Sequence, residues 1–127
     1  MTVAFVIVSH SVKLAEGVVE LAAQMARDVQ FRAAGGTDEG AIGTSFDKVL
    51  AAVEDLTAAG HHVVLMADLG SATMTIEAVL EVVDEAKVRF APGPLVEGAV
   101  AAAVTAQVGG DLAAVVAAAR ATDAFPR

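Results

Sequence analysis

A histidine between two serines follows directly on an apolar run near the start of the chain, where Val6-Ile7-Val8 leads into Ser9-His10-Ser11. A second polar group, Asp68-Leu69-Gly70-Ser71, follows another apolar run in the same way. A neutral imidazole is a good nucleophile when its attacking nitrogen carries no proton, and a carboxylate on the other ring nitrogen fixes that tautomer. The two groups together suggest nucleophilic chemistry by His10, with Asp68 as its orienting carboxylate.

Phosphoryl transfer through a phosphohistidine is the chemistry that this combination favours. We expect backbone N–H groups and small hydroxyls to hold the phosphoryl group without a metal or another cofactor. The candidates that could supply them are Ser9, Ser11, Thr44, Gly70 and Ser71. We also expect the attacking nitrogen to be free and to point outward at the edge of a sheet.

Strands that alternate with helices must position these residues. Continuous apolar runs of strand length alternate with segments of helical spacing, which is typical of a parallel α/β sheet whose strands are covered on both faces. The predicted strands are 3–8, 29–33, 62–67 and 87–91. The predicted helices are 14–26, 45–59 (closed by Gly60), one that follows Asp68-Leu69-Gly70-Ser71 and runs to about 86, 95–108 and a last one capped by Asp111 and ending near 121. We predict a flavodoxin-like open parallel sheet of four strands in the order 2-1-3-4.

This strand order places the site before any motif is considered. Ligands of open parallel sheets bind at the carboxyl ends of the strands, at the point where the strand order reverses. For the order 2-1-3-4 that point lies between the first and third strands. The carboxyl ends of these strands carry Ser9-His10-Ser11 and Asp68-Leu69-Gly70-Ser71, and both groups open onto helix N-termini that favour an anion.

Composition limits the classes of function. The chain has 127 residues, 56% of them hydrophobic, which indicates one domain spanning 1–127. Its net charge of -8 disfavours binding to nucleic acid or to an anionic membrane. The N-terminus lacks a basic segment before its apolar run, and the alanine-rich stretch 96–108 is too short to cross a bilayer, so we expect a cytoplasmic protein.

Each site residue also has a purely structural interpretation. His10 could simply sit at a helix start beside the capping serines, and Asp68 could be only the N-cap of the third helix. Gly70 and Ser71 could be ordinary turn residues. The joint placement of these residues at one sheet edge is what favours a functional site.

Other residues have simpler explanations. His61 and His62 precede or begin the third strand, at the opposite edge from His10, and they lack the spacing of metal ligands. Met66 and Met74 are expected in the core. An acidic run is typical of a solvated helix face, with docking to a basic partner as the alternative; its members are Glu77, Glu81, Asp84 and Glu85.

Nucleotide-binding motifs do not fit. The chain has no G-x-x-x-x-G-K-[ST] motif, and the turn after the first strand contains no glycine. A flavin site would leave the histidine without a role.

Five blocks carry a resemblance to a known family: VIVSHS at 6–11, AAGG at 33–36, IGTS at 42–45, DLGSA at 68–72 and PLVEGA at 94–99. In these blocks the chain resembles the phosphotransferase (DhaM) subunits of phosphoenolpyruvate-dependent dihydroxyacetone kinases. The first domain of those subunits is similar to the mannose-type enzyme IIA of the sugar phosphotransferase system. The blocks keep the family's order and are spread over nearly the whole chain.

The resemblance implies a homodimer that takes a phosphoryl group from the phosphocarrier HPr and passes it to ADP on a separate kinase subunit. It implies that His10 is phosphorylated on Nε2, that Asp68 orients the ring, and that Thr44, Gly70 and Ser71 help to hold the phosphate. Some members of the family continue into HPr-like and enzyme I-like domains. A single-domain member would depend on a free HPr.

Two alternatives stand beside this function. A mannose-type enzyme IIA would use the same chemistry but would pass the phosphoryl group to a sugar-transport IIB domain. A non-catalytic dimeric module would use the same anion pocket to sense a phosphorylated partner.

Overall fold

The computed structural model describes residues 2–124 of the chain. The first residue and the last three of the predicted single domain lie outside the described residues. The strands are β1 (Val3–Ser9), β2 (Phe31–Gly35), β3 (His62–Ala67) and β4 (Val88–Phe90). The α-helices are α1 (Val12–Met25), α2 (Phe46–Ala58), α3 (Gly70–Leu80), α4 (Leu95–Gln107) and α5 (Leu112–Ala121), followed by a short 3₁₀ turn, Thr122–Ala124.

All strand pairs are parallel and the strand order is β2-β1-β3-β4, so the predicted fold class is confirmed. The central strand β1 is buried along its whole length, because helices cover both faces of the sheet. Helices α1, α4 and α5 pack on one face, and α2 and α3 pack on the other. This explains why β1 and β3 are continuous apolar runs in the sequence rather than alternating ones.

Strand β2 is displaced from its predicted position of 29–33, and the register explains the difference. Phe31 pairs with Phe5, and the ladder runs on until Gly35 pairs with Ser9. Gly35 therefore belongs to the strand rather than to a loop. A Cβ atom there would lie 2.5 Å from the carbonyl oxygen of Ser11 and 2.8 Å from Cα of Val12, so glycine permits the close approach of α1.

The predicted extension of the third helix to residue 86 is wrong. Helix α3 ends at Leu80, and Asp84 closes a turn after it. The Asp84 side chain accepts a hydrogen bond from the N–H of Ala86, and its carbonyl accepts from the N–H groups of Lys87 and Val88. An aspartate that binds its own backbone in this way competes with helix formation.

The two methionines predicted to lie in the core differ. Met66 is buried in β3, as predicted. The prediction for Met74 is wrong, because its side chain is 70% exposed. It lies on the side of α3 that faces away from Ala72, Ile76 and Val79, the residues that the helix buries.

Helix α4, which forms most of the alanine-rich stretch, packs against α1 and α5. It buries small residues against the sheet, among them Ala99, Ala102 and Ala103. Within residues 2–124, no helix combines the length and the apolar character that crossing a membrane requires.

Replacing Gly35 by alanine tests the close packing of β2 and α1. We expect Gly35→Ala to lower the free energy of unfolding by about 1–3 kcal/mol, because its Cβ would meet backbone atoms that cannot rotate away. Urea-induced unfolding measures this change.

The matched control is Gly17→Ala in the middle of α1, where an added Cβ meets no atom within 4 Å. This variant should gain about 0.5–1 kcal/mol from helix propensity. Equal stability of Gly35→Ala and the parent protein would contradict the packing described here.

Candidate functional site

The turns that follow β1 and β3 bring the two predicted polar groups together. Because β1 and β3 are neighbours, His10 and Asp68 emerge side by side at their carboxyl ends. His10 Nδ1 lies 2.9 Å from Asp68 Oδ1, although the two residues are 58 positions apart in the chain. The side chains are 19% and 10% exposed, so the pair lies at the protein surface but is largely shielded from water.

The Asp68 carboxylate accepts hydrogen bonds at both of its oxygens. Its Oδ2 accepts from the backbone N–H of His10 at 3.0 Å and from the Ser9 hydroxyl at 2.8 Å. Its Oδ1 accepts from the backbone N–H of Leu69 at 2.7 Å and faces the His10 ring. A carboxylate that binds both the main chain and the ring of one residue fixes that ring's orientation.

This environment acts on the ionisation of Asp68 in two opposing ways. Burial favours the neutral carboxyl and raises its pKa. The hydrogen bonds from the His10 backbone, the Ser9 hydroxyl, the His10 ring and the Leu69 backbone lower it, and the net pKa lies below the ordinary value of 3.8. Asp68 is therefore a carboxylate near neutral pH. An ionised acceptor at Nδ1 requires a proton there and leaves Nε2 as the unprotonated nitrogen of the neutral ring.

The position of Nε2 differs in part from the expectation. The nitrogen faces away from Asp68, as predicted, but it is not free, because the hydroxyl of Ser71 hydrogen-bonds to it. With Nδ1 protonated, Ser71 is the donor and Nε2 is the acceptor. Ser71 lies in the first turn of α3 and is exposed, so its side chain can rotate away from the ring.

The N-terminus of α3 opens beside this nitrogen. The N-cap residue, Leu69, has no side chain that caps the helix, whereas Ser11 caps α1 through a bond from the N–H of Leu14 at 3.2 Å. The alternative that Asp68 is the N-cap of the third helix is wrong, since Asp68 instead binds His10 and Ser9. The first turn of α3, which includes Gly70, is thus left available to an anion.

Two of the predicted phosphate-binding hydroxyls are committed elsewhere. Ser9 is fully buried, donates to Asp68, and accepts a bond from the N–H of Ser11 at 3.0 Å. Its place is therefore behind the histidine and not in front of it, which corrects the expectation that it holds phosphate. Thr44 contacts the hydroxyl of Thr75 at 2.8 Å.

The loop between β2 and α2 also contacts the histidine, and the sequence reasoning missed this. Gly36 donates its N–H to the carbonyl of Ser9 at 3.0 Å, and Gly43 donates to the carbonyl of His10 at 2.9 Å. Lys48, in the first turn of α2, donates from Nζ to the carbonyl of Gly35 at 3.0 Å. The concentration of glycines between β2 and α2 was the signal that could have indicated a structural role for this loop.

The remaining histidines lie where the sequence places them. His62 begins β3 and His61 precedes it, at the amino end of the sheet, where His61 Nδ1 bonds to the hydroxyl of Thr2. Within residues 2–124, no three histidine or carboxylate side chains come together closely enough to hold a metal ion.

The fold and the site together define a class of protein. It is an open parallel α/β domain with a histidine–aspartate pair at the point where the strand order reverses. Residues 4–116 match the EIIA-man family model, described as the PTS system fructose IIA component. The chain belongs to this family.

Several relatives are phosphotransferase or phosphoryl donor subunits of dihydroxyacetone kinases. The chain is 38% identical over 115 residues to the phosphotransferase subunit DhaM of the PTS-dependent dihydroxyacetone kinase of Lactococcus lactis, covering 91% of each protein. It is 46% identical over 111 residues to the phosphoryl donor subunit DhaM of the phosphoenolpyruvate-dependent dihydroxyacetone kinase of Klebsiella michiganensis. That match covers 82% of this chain but only 23% of the longer relative.

A solved structure has the same fold. The crystal structure of EF1359, a protein of unknown function, superimposes with a TM-score of 0.86 at 29% identity and covers 95% of both chains. The resemblance inferred from the five sequence blocks is therefore confirmed at the level of the family, and the architecture at the level of the fold.

The lowered pKa of Asp68 gives a prediction for stability. A carboxylate whose pKa is lower in the folded than in the unfolded state stabilises the protein above the unfolded value of about 3.8, and this contribution is lost as the pH falls through the folded value. We expect Asp68→Asn to lower the free energy of unfolding by about 1–3 kcal/mol at neutral pH, because an amide cannot accept all of these bonds. As the pH falls well below 3.8, the difference from the parent protein should shrink.

Asp55→Asn is the control, since Asp55 pairs with Arg32 at the surface with a side chain that is 63% exposed. We expect it to change stability by less than about 1 kcal/mol. If the effect of Asp68→Asn were the same at neutral and acidic pH, the carboxylate would not have the role described here.

Proposed function

We propose that this chain is a phosphoryl carrier that accepts a phosphoryl group from phospho-HPr on Nε2 of His10 and passes it to ADP on a dihydroxyacetone kinase subunit. The observation that carries this proposal is the pairing of His10 Nδ1 with Asp68 at 2.9 Å, which turns Nε2 toward Ser71 and the open end of α3. The names of the relatives support a dihydroxyacetone kinase subunit, and not a sugar-transport domain, as the acceptor.

In the first step, the lone pair of Nε2 attacks the phosphorus atom of the donor's phosphohistidine. The bond between that phosphorus and the donor's ring nitrogen breaks, and the electron pair returns to the donor's imidazole. The proton on Nδ1 of His10 stays in place, where the carboxylate of Asp68 balances the positive charge that the ring acquires. In the second step, a terminal phosphate oxygen of ADP attacks the same phosphorus, and His10 leaves as a neutral ring.

The phosphoryl oxygens would be held by groups that already surround Nε2. Ser71 would turn its hydroxyl from the ring nitrogen to a phosphoryl oxygen, and the uncapped first turn of α3, with Gly70, would supply N–H groups. Ser11 lies next to the histidine, and its hydroxyl proton remains available because its oxygen only accepts from Leu14. Thr44 is left out of this set, because its hydroxyl is bound to that of Thr75.

Exposed apolar side chains at the carboxyl edge of the sheet support a protein as the phosphoryl donor. They lie in the loops or the first two turns of the helices that follow β1, β2 and β3: Leu14, Ile42, Phe46, Leu69 and Met74. Three of them exceed 60% exposure, namely Ile42 at 77%, Met74 at 70% and Leu69 at 64%. Such a patch around a reactive residue is typical of an interface with another protein.

The assembly belongs to the same proposal. We infer a homodimer in the cytoplasm from the family resemblance, aided by Val96, Val104 and Val108, which α4 and its C-cap leave exposed. We also infer that 1–127 is one mannose-type enzyme IIA-like domain.

Phosphorylation by purified components tests the function. Incubation with phosphoenolpyruvate, enzyme I and HPr should add one acid-labile phosphoryl group, detected by intact mass, and His10→Ala should abolish it. Asp68→Ala should slow the reaction by about 10²-fold or more while the fold is retained, because the ring would lose its fixed tautomer. Ser71→Ala keeps the nucleophile and removes only the hydroxyl that would hold a phosphoryl oxygen. Its rate of phosphorylation should therefore lie between those of the parent protein and Asp68→Ala.

The acceptor separates this function from its alternatives. The phosphorylated protein should discharge to ADP on a dihydroxyacetone kinase subunit. Discharge only to a sugar-transport IIB domain would favour the mannose-type enzyme IIA. A parent protein whose mass never changes would exclude a phosphoryl carrier and leave the non-catalytic sensing module.

The apolar patch gives a separate prediction for docking. Met74→Gln preserves side-chain length but removes apolar surface, so we expect it to raise the KM for phospho-HPr by about fivefold with little change in kcat. Met25→Gln is the matched control, because Met25 is 54% exposed but is the last residue of α1, at the opposite end of the sheet from His10. Equal KM values for Met74→Gln and Met25→Gln would place the docking surface elsewhere.

A further inference from the structure

The loop of residues 36–45 is fastened to the end of β1 by two backbone bonds. The N–H groups of Gly36 and Gly43 donate to the consecutive carbonyls of Ser9 and His10, at 3.0 and 2.9 Å. The backbone of the reactive histidine is therefore bound on two sides: its N–H donates to Asp68, and its carbonyl accepts from the loop.

The loop itself is tightly folded. Thr37 donates its N–H to the carbonyl of Ala41, and its hydroxyl and carbonyl accept from the N–H groups of Ala41 and Gly40. Gly36 and Gly43 have φ values of 75° and 147°, which favour glycine, and a Cβ atom on Gly43 would lie 2.7 Å from Cγ2 of Thr37. These bonds link the two ends of the loop, so we expect a contact at one end to affect the other.

A side-chain bond joins this loop to α3. The hydroxyl of Thr44 lies 2.8 Å from that of Thr75, and Thr75 donates to the carbonyl of Ser71, one turn earlier, at 3.2 Å. A hydroxyl has only one proton, and Thr75 uses it on Ser71. Thr44 must therefore be the donor in the bond between the two threonines, and Thr75 connects the loop to the turn of α3 that carries Ser71.

We propose that Thr75 is a positioning residue that holds the 36–45 loop against His10 and keeps it in register with Ser71. It acts through Thr44 and the Gly43 N–H on the backbone of His10, and through the Ser71 carbonyl on the turn that faces Nε2. Its effect on transfer rests on the proposed function, whereas its effect on the loop does not. Thr75 is half-buried on α3 and its hydroxyl is turned toward Thr44.

Hydrogen exchange measures the hold on the loop directly. Thr75→Val keeps the branched shape but removes the hydroxyl, so we expect the peptide that contains the Gly43 amide to exchange about fivefold faster, the effect of losing one hydrogen bond. Thr75→Ser retains the hydroxyl and should exchange as the parent protein does.

Thr105→Val is the matched control. Thr105 is a half-buried threonine on α4 whose hydroxyl donates to the carbonyl of Ala101 at 3.1 Å, the same type of bond that Thr75 makes with Ser71. It has no part in the loop described here, so exchange of residues 36–45 should be unchanged in this variant.

Phosphorylation kinetics supply the functional readout. In Thr75→Val we expect kcat for the reaction with phospho-HPr to fall about fivefold, because the reacting group is less well held. KM should stay within about twofold, because Ile42 is the one member of the apolar patch that lies in the loop. Thr75→Ser should restore kcat, and Thr105→Val should leave it unchanged.

The outcomes separate the two proposals. Unchanged exchange of the Gly43 peptide in Thr75→Val, or equally fast exchange in Thr75→Ser, would overturn the positioning role. So would equal losses of kcat in Thr75→Val and Thr105→Val. Failure to phosphorylate the parent protein would remove the proposed function, while the exchange experiment would still decide whether Thr75 holds the loop.

Discussion

The carboxylate of Asp68 is the group on which the site depends. It joins two segments that are far apart in the chain, since it accepts bonds from Ser9 and His10 at the end of β1 and from Leu69 after β3. Burial opposes its ionisation, but hydrogen bonds to a charged acceptor contribute about 1.5–3 kcal/mol each, and several of them outweigh that cost. The lowered pKa of Asp68 expresses this balance. The same bonds that keep the carboxylate charged also fix the orientation of the His10 ring.

The parallel sheet makes this arrangement available. The neighbouring strands β1 and β3 end at the same edge of the sheet. The close packing of α1 against Gly35 fixes the position of the turn between β1 and α1. Ser9, the last residue of β1, is buried in the site, and its hydroxyl donates to Asp68. This bond fixes the position of the Asp68 carboxylate relative to β1. On the other side of the ring, by contrast, Nε2 faces Ser71 in the first turn of α3, a helix that no side chain caps.

Periodicity and topology were sufficient to predict most of the fold and the central pair of the site. The continuous apolar runs indicated β1 and β3, the alternation of elements indicated the sheet order, and that order alone brought His10 beside Asp68. Features that depend on single side-chain bonds were missed: the Asp84 turn that ends α3 early, the buried position of Ser9, and the bond between Thr44 and Thr75. Such bonds join residues without any repeating pattern, so periodicity does not reveal them. Gly35 and Gly36 lie outside the predicted second strand, 29–33, whereas in the structure they permit close contact with α1 and the end of β1.

Nitrogen-15 NMR of the His10 ring tests the central claim most directly, because it reports which ring nitrogen carries the proton. At mildly alkaline pH we expect a protonated Nδ1 bound to Asp68 and an unprotonated Nε2. Asp68→Asn should disturb this preference. A parent protein in which Nε2 carries the proton and Nδ1 is bare would contradict the claim, since the nitrogen that faces Ser71 could not then act as the nucleophile.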